Sequence, residues 1–235
     1  MKITIDSFPF NPGFGNRILY YYNLRQEAHR RDYEFGCVPW DGYQFFEGNM
    51  LGSEVGGGYS LGLCLGEKFY SYNGISTRDV FKLKEKPTVS EPTCAIHFRG
   101  TDFHRWNINA VLGFDYYYDS IEEVKESVDS FALFTDDSNL PSFTMVKEHL
   151  SSQGINFTEG GGGWENYIND FSFMSECDYI ISSPSTFCIC AGFIGKKKKI
   201  IHSKKWVEDQ ASQNDKFWVD LLNGGNEDYS AWRFV

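Results

Sequence analysis

The chain has 235 residues, with 22 Lys+Arg against 32 Asp+Glu for a formal net charge of −10, and it is 41% hydrophobic and 17% aromatic. That length makes one large or two small domains and buries a core without disulfide staples, and the composition is globular rather than disordered. The acidic balance argues against a nucleic-acid partner gripped through its phosphates, while leaving room for a local basic pocket that takes one small phosphorylated ligand.

No membrane span is expected, because the most apolar run, residues 187–194, is far short of the ~20 residues that cross a bilayer. The opening Met1-Lys2-Ile3-Thr4-Ile5-Asp6 reaches a charge too early for the apolar region of a signal peptide. The six cysteines (37, 64, 94, 177, 188 and 190) include no Cys-x-x-Cys pair, and most have apolar neighbours. Reduced, buried thiols and a cytoplasmic location follow as expectations.

In chain order, residues 3–5 read as a short strand. The turn-rich Asn11-Pro12-Gly13-Phe14-Gly15-Asn16 leads into a helix over 17–31, with Ile18, Tyr21, Tyr22, the aliphatic stem of Arg25 and Ala28 at helical spacing. From 36 to 92, glycines at 48, 52, 56, 57, 58, 62 and 66 break any period, so loops with short strands are expected. After Pro87 and Pro92 the texture changes, which puts a domain boundary near 85–93 and divides the chain into 1–92 and 93–235.

Residues 93–98 form a compact apolar strand ending at Arg99-Gly100-Thr101-Asp102, and 117–128 a helix. A buried strand over 131–134 ends in Thr135-Asp136-Asp137, followed by a helix over 142–153 stopped by Gly154 and a strand around 155–157. Glycines 160–163 open a loop, Asn169-Asp170 cap a helix through 177, and 179–182 is a strand. Ser183-Pro184-Ser185-Thr186 starts another helix, 196–199 is a solvated lysine turn, and 199–202 is a further strand. Strands alternating with helices at this spacing mean a parallel sheet wrapped by helices, whose ligands sit beyond the carboxyl ends of the strands. The polar clusters at 99–102, 136–137 and 183–186 fall at those ends.

Each cluster has a plain reading and a functional one. Arg99 is a surface Arg, or a fork suited to a diphosphate because it donates two parallel hydrogen bonds and stays charged; His97 shares its face at period two. Ser185 and Thr186 explain themselves as a helix N-cap, and the same N–H groups and hydroxyls also suit phosphate. Adjacent Asp136 and Asp137 point different ways with no His cluster nearby, so a loop role is expected over a metal site. Asp170 caps its helix, or accepts two N–H bonds from a guanine edge. Gly13 and Gly15 lack the third glycine of a dinucleotide fingerprint, since Ile18 stands there. No Gly-x-Ser-x-Gly elbow and no activated-Cys context is present.

Taken in order, these segments resemble the α-1,2-fucosyltransferase family and its α-1,6- and protein O-fucosyltransferase relatives. Gly13-Phe14-Gly15-Asn16-Arg17 resembles the family's Gly-x-Gly-Asn start, and His97-Phe98-Arg99-Gly100-Thr101-Asp102 its His-x-Arg-x-Gly-Asp motif. Phe134-Thr135-Asp136-Asp137 is similar to Phe-Ser-Asp-Asp. Asp170 to Cys177 with Ser183-Pro184-Ser185-Thr186-Phe187 is similar to Asp-x-x-x-Met-Ser-x-Cys…Asn-Ser-Thr-Phe, and Lys204-Lys205-Trp206 to a frequent ending. Pro184 replaces the family's Asn, and Cys188-Ile189-Cys190 its aromatic pair.

The resemblance implies an α/β, GT-B-like fold of two Rossmann-type halves, the N-terminal one reduced, with donor in the C-terminal half and acceptor at the cleft. It implies no cofactor, GDP-fucose as donor substrate, a glycan acceptor and inverting, metal-independent transfer, with α-1,2 linkage expected. Gly13, Gly15, Asn16, His97, Arg99, Asp136, Asp170, Ser185, Thr186 and Phe187 would bind the donor, His97 and Asp170 at the guanine. Arg99 would stabilise the leaving diphosphate, and Asp102 would serve as the base for the acceptor hydroxyl or orient Arg99. The alternatives are a catalytically silent GDP-sugar or glycan-binding module, and a transferase using another GDP-sugar.

Overall fold

The structure is a computed structural model describing residues 1–8, 13–55, 76–89, 91–161, 166–195, 197–213 and 231–235. Of the features singled out above, Asn11, Pro12, glycines 56, 57, 58, 62, 66, 162 and 163, Cys64 and Lys196 lie outside the described residues. The chain forms two units, Met1–Glu85 with Gln210–Tyr229, and Lys86–Asp209 with Ser230–Val235. The first crossing falls at 85/86 rather than 92/93, and the chain crosses twice more near its end, which a single linear boundary does not describe.

In the first unit, β1 (Lys2–Ile5) and β2 (Glu34–Cys37) pair in parallel, Lys2 against Glu34 through Ile5 against Cys37, with α1 (Phe14–Arg30) as the crossover. The helix begins at Phe14, before the expected 17, because Gly13 takes the N-cap place and its carbonyl accepts the Arg17 N–H at 3.1 Å. Gly15 and Asn16 therefore lie in the first helical turn rather than in an open turn. Ile18, Tyr21 and Tyr22 are fully buried. Tyr21 packs on Phe35 at 5.1 Å and on Trp40 at 5.2 Å between ring centroids, an aromatic core suited to a small layer. Two four-residue helices, α2 (Gly42–Phe45) and α3 (Thr77–Val80), follow among the described residues, with isolated bridges Gly36–Gly52 and Phe46–Leu83.

The second unit runs β3 (Thr93–Phe98), α4 (Phe103–Trp106), α5 (Phe114–Val124), β4 (Ser130–Thr135), α6 (Pro141–Ser152) and β5 (Phe157–Glu159). It continues through α7 (Tyr167–Glu176), β6 (Tyr179–Ile181), α8 (Thr186–Ile194), β7 (Lys199–His202), α9 (Lys204–Ser212) and β8 (Trp232–Phe234). All strand pairs are parallel, in the order β5-β4-β3-β6-β7-β8. All six residues of β3 are buried, as befits a central strand with helices on both faces. Cys94, Ile96 and Phe98 join Tyr117, Ile121 and Val124 of α5 and Phe143, Val146 and Leu150 of α6 in one core. His97, on the opposite face, meets Phe187 of α8 at 5.7 Å between rings.

This is an α/β architecture with parallel sheets, compatible with a Rossmann-like fold. Several sequence expectations shift. α5 starts at Phe114 and passes into a 3₁₀ turn at Lys125–Ser127, and β5 lies two residues later than expected. Asp170 is inside α7, whose N-cap is Asn166, so it does not cap the helix. Lys197 is not solvated: it is 8% exposed. Its ammonium donates to the carbonyls of Met174 at 2.8 Å and of Ser175 and Cys177 at 2.6 Å. A cation there answers the unpaired carbonyls and negative dipole end of α7, and no sequence period announces it.

Candidate functional site

Successive strands build outward from β3 through β4 to β5, and from β6 through β7 to β8, so the order reverses between β3 and β6. In open parallel sheets that reversal leaves a crevice beyond the strand ends, because the following loops part to opposite sides. His97 and Arg99 come to it from β3, Asp136 from the end of β4, and Ser183 and Ser185 from the turn between β6 and α8.

His97 is 5% exposed, and its Nδ1 lies 2.7 Å from Ser183 Oγ across the reversal. Burial, helped by the Arg99 charge and opposed by Asp136, pulls its pKa down from 6.5 to about 3. The imidazole is neutral at ordinary pH, so one nitrogen donates and the other accepts. The strand ends are tied from below by two neighbouring tyrosines of α5. Tyr117 donates to the His97 carbonyl at 3.3 Å; Tyr116 donates to those of Ser182 at 2.7 Å and Ile201 at 3.1 Å. Three adjacent strands are thereby fixed at the crevice.

Arg99 is held by two carboxylates. One terminal nitrogen is 2.8 Å from Asp136 Oδ2 and the other 2.8 Å from Asp102 Oδ1, and the guanidinium lies 5.2 Å from the centre of the Phe103 ring. Its Nε–H is buried and has no hydrogen-bond partner among the described residues. Asp136 also accepts the Gly100 N–H at 2.8 Å and the Thr101 hydroxyl at 2.6 Å. Glycine at 100 is required by this close turn: a Cβ there would stand 2.8 Å from Leu140 and 2.9 Å from Asp137 side-chain atoms. Asp136 is thus a partner of the Arg99 loop, and Asp102, 64% exposed, is the outer partner of Arg99.

At the start of α8, Ser185 Oγ accepts the Phe187 N–H at 3.4 Å. Cys188 Sγ, one turn in, donates to the carbonyls of Ser183 and Ser185, each at 3.2 Å. Thr186 and Phe187 are half-buried beside them. A nine-residue helix ending here presents backbone N–H groups and the positive dipole end. The Phe187 ring packs on His97 and, at 5.3 Å, on Phe171 of α7. Asp170, next to Phe171, is 9% exposed and accepts the Gly161 N–H at 3.1 Å. The neighbouring Gly160 lies flat on Phe134, where a Cβ would enter the ring.

The structure therefore brings together His97, Arg99, Asp102, Asp136, Ser185 and Phe187 at one sheet edge, with Thr186 on the same helix turn and Asp170 joined through Phe171. Gly13, Gly15 and Asn16 belong to the first unit, at the start of α1, where the neighbouring Arg17 pairs with Asp41 at 2.7 Å. Ser183 and Thr101 lay in the polar clusters read from the sequence but were given no role of their own, and Tyr116 and Tyr117 were not singled out, since they carry no signal beyond their place on a helix.

Among the described residues, no group of three or more His, Cys, Asp or Glu side chains could hold a metal ion. The five described cysteines are free and buried, and burial pushes their thiols up, Cys37 and Cys177 to about 12. Thiolate nucleophiles are therefore not on offer at those positions. No helix of the described residues is long and apolar enough to cross a membrane. No protein-family model matches the chain, and no curated protein matches it either.

Proposed function

We propose that this chain is a glycosyltransferase that moves fucose from GDP-fucose to a glycan hydroxyl with inversion, with an α-1,2 linkage as the favoured product, and that its two units are the halves of a GT-B-like fold. The observation that carries the reading is the meeting of Arg99, His97 and the α8 N-terminus at the sheet reversal. These supply a fixed cation, a neutral ring donor and a ring of backbone N–H groups, the chemistry a nucleoside diphosphate requires.

In this reading the diphosphate lies between Arg99 and residues 185–187. The Arg99 Nε–H, left without a partner among the described residues, costs about 1–3 kcal/mol in that condition; a phosphate oxygen relieves it. As the bond to the anomeric carbon breaks, negative charge grows on the diphosphate, and Arg99 with the helix N-terminus stabilises it where other transferases use a metal ion. Asp136 and Asp102 keep the guanidinium aligned, which lowers the reorganisation needed in the transition state. Asp102, exposed and anchored by Arg99, accepts the proton of the attacking hydroxyl. His97 and Asp170 read the guanine edge, and Phe187 packs between them and the phosphates.

The second reading is a GDP-sugar-binding module without turnover. The double engagement of Arg99 by Asp102 and Asp136 favours it, because both terminal nitrogens are already committed. Calorimetric titration with GDP, GDP-fucose, GDP-mannose and UDP, with and without chelator, tests the proposal. Chelator-insensitive binding of GDP and GDP-fucose with no UDP signal supports it, and transfer to a glycan separates the two readings. Equal or tighter GDP-mannose binding points to another GDP-sugar as donor, and no nucleotide binding overturns the site.

A further inference from the structure

Immediately beyond Arg99 the chain does something the donor reading does not use. The loop after β3 folds into the four-residue α4 and a 3₁₀ turn at Ile108–Ala110. Against it lies an open hollow of about 520 Å³ lined by Thr101, Asp102, Arg105 and Trp106. That volume falls within the ~300–1,000 Å³ typical of small-ligand sites. Trp106 is 61% exposed, a large apolar surface to leave in water. It is nonetheless held in place: its ring contacts Phe103 at 5.1 Å and, edge-on, the buried Trp206 at 5.9 Å. An indole fixed by two rings and open on the remaining side is a preorganised stacking surface.

The polar groups around it match a polyhydroxylated ring. Arg105 makes no ion pair among the described residues and carries several N–H donors for hydroxyl oxygens. Thr101 and Asp102 add a hydroxyl and a carboxylate. A pyranose has the complementary make-up, one face of C–H bonds and a rim of hydroxyls. An aliphatic ligand would leave the Arg105 donors unanswered, and a purely ionic one would leave the indole bare.

We propose that this hollow is a sugar subsite in which a pyranose ring of the acceptor stacks on Trp106, with Arg105 and Thr101 hydrogen-bonding its hydroxyls. Asp102 lies on the wall shared with Arg99, through its 2.8 Å ion pair. A hydroxyl of the stacked sugar thereby comes to the carboxylate that the proposed transfer assigns as base. The inference rests on the glycosyltransferase reading for the role of the sugar, but the stacking contact itself is tested without turnover.

Saturation-transfer NMR on the full chain with the methyl glycosides of glucose, galactose and mannose, with and without GDP, is the experiment. At least one glycoside is expected to receive saturation through its ring protons. W106A is expected to reduce that signal at least tenfold, W106F to retain part of it, and R105Q to weaken it several-fold. The proposal is overturned if no glycoside gives a signal, if the W106A signal matches the native one, or if W106F loses it as completely as W106A. GDP calorimetry on the same samples keeps the two readings apart: glycoside binding lost in W106A without GDP binding by the native chain sinks the donor site alone, and the reverse pattern sinks the sugar subsite alone.

Discussion

Replacing Ser183 by Ala removes one oxygen atom and tests the contact across the sheet reversal. Ser183 Oγ is 2.7 Å from His97 Nδ1, and both side chains are buried. The separation is at the shorter length usual for an O–H donor rather than an N–H donor. With Ser183 donating to Nδ1, the ring proton of the neutral imidazole sits on Nε2, where it serves a ligand. Loss of the hydroxyl leaves a buried nitrogen unpaired, which costs about 1–3 kcal/mol. For a chain of this size that is a fall of roughly 2–12 °C in Tm. The same change frees the ring to hold its proton on either nitrogen, and losing one hydrogen bond of ~1 kcal/mol weakens GDP binding about fivefold to tenfold. Thermal unfolding and calorimetry read the two effects, and Ser183→Thr, which keeps the hydroxyl, should restore most of both. A Ser183→Ala protein within about 0.5 kcal/mol of native stability, with GDP affinity within twofold of native, would refute the assigned role of the pair.

Other perturbations give distinct outcomes. Arg99→Ala should abolish turnover and weaken GDP binding by about 30-fold or more, from the loss of charge-assisted bonds worth ~2–3 kcal/mol, with an unchanged far-ultraviolet circular dichroism spectrum; intact GDP affinity would remove Arg99 from the pocket. Lys197→Met should destabilise the second unit by about 2–4 kcal/mol in urea unfolding, because three carbonyls at the end of α7 lose their donor. Stability should also fall in acid. His97 and His202 are pulled down to about 3 and about 4, chiefly by burial, so the folded chain keeps them neutral while the unfolded chain protonates them near 6.5. Their contribution is complete above pH ~6.5 and declines as pH drops towards those folded values, by on the order of 2 kcal/mol each at pH 5. A smaller slope between pH 7 and 5 in each of the His97→Gln and His202→Gln variants, and a further reduction in the double variant, against the steeper native profile, is the check.

The sequence by itself determined which segments become central strands. The compact, mostly apolar stretch at 93–98 is a strand with those same bounds, and the polar residues after it fall at the carboxyl edge because the sheet is parallel. It also determined that Ser185 caps α8, since a hydroxyl before an apolar run satisfies free N–H groups locally. Interactions between residues close in sequence leave such marks. What the tertiary structure decided depends on groups far apart in the chain. Strand order placed the reversal between β3 and β6 and set Ser183, 86 positions from His97, within hydrogen-bond reach. Lys197 answers three carbonyls at a helix end, so its burial has no pattern in the run 196–199. The same holds for the Asp136 carboxylate, which sequence order separates from Arg99 and the strand pairing of β3 with β4 brings beside it.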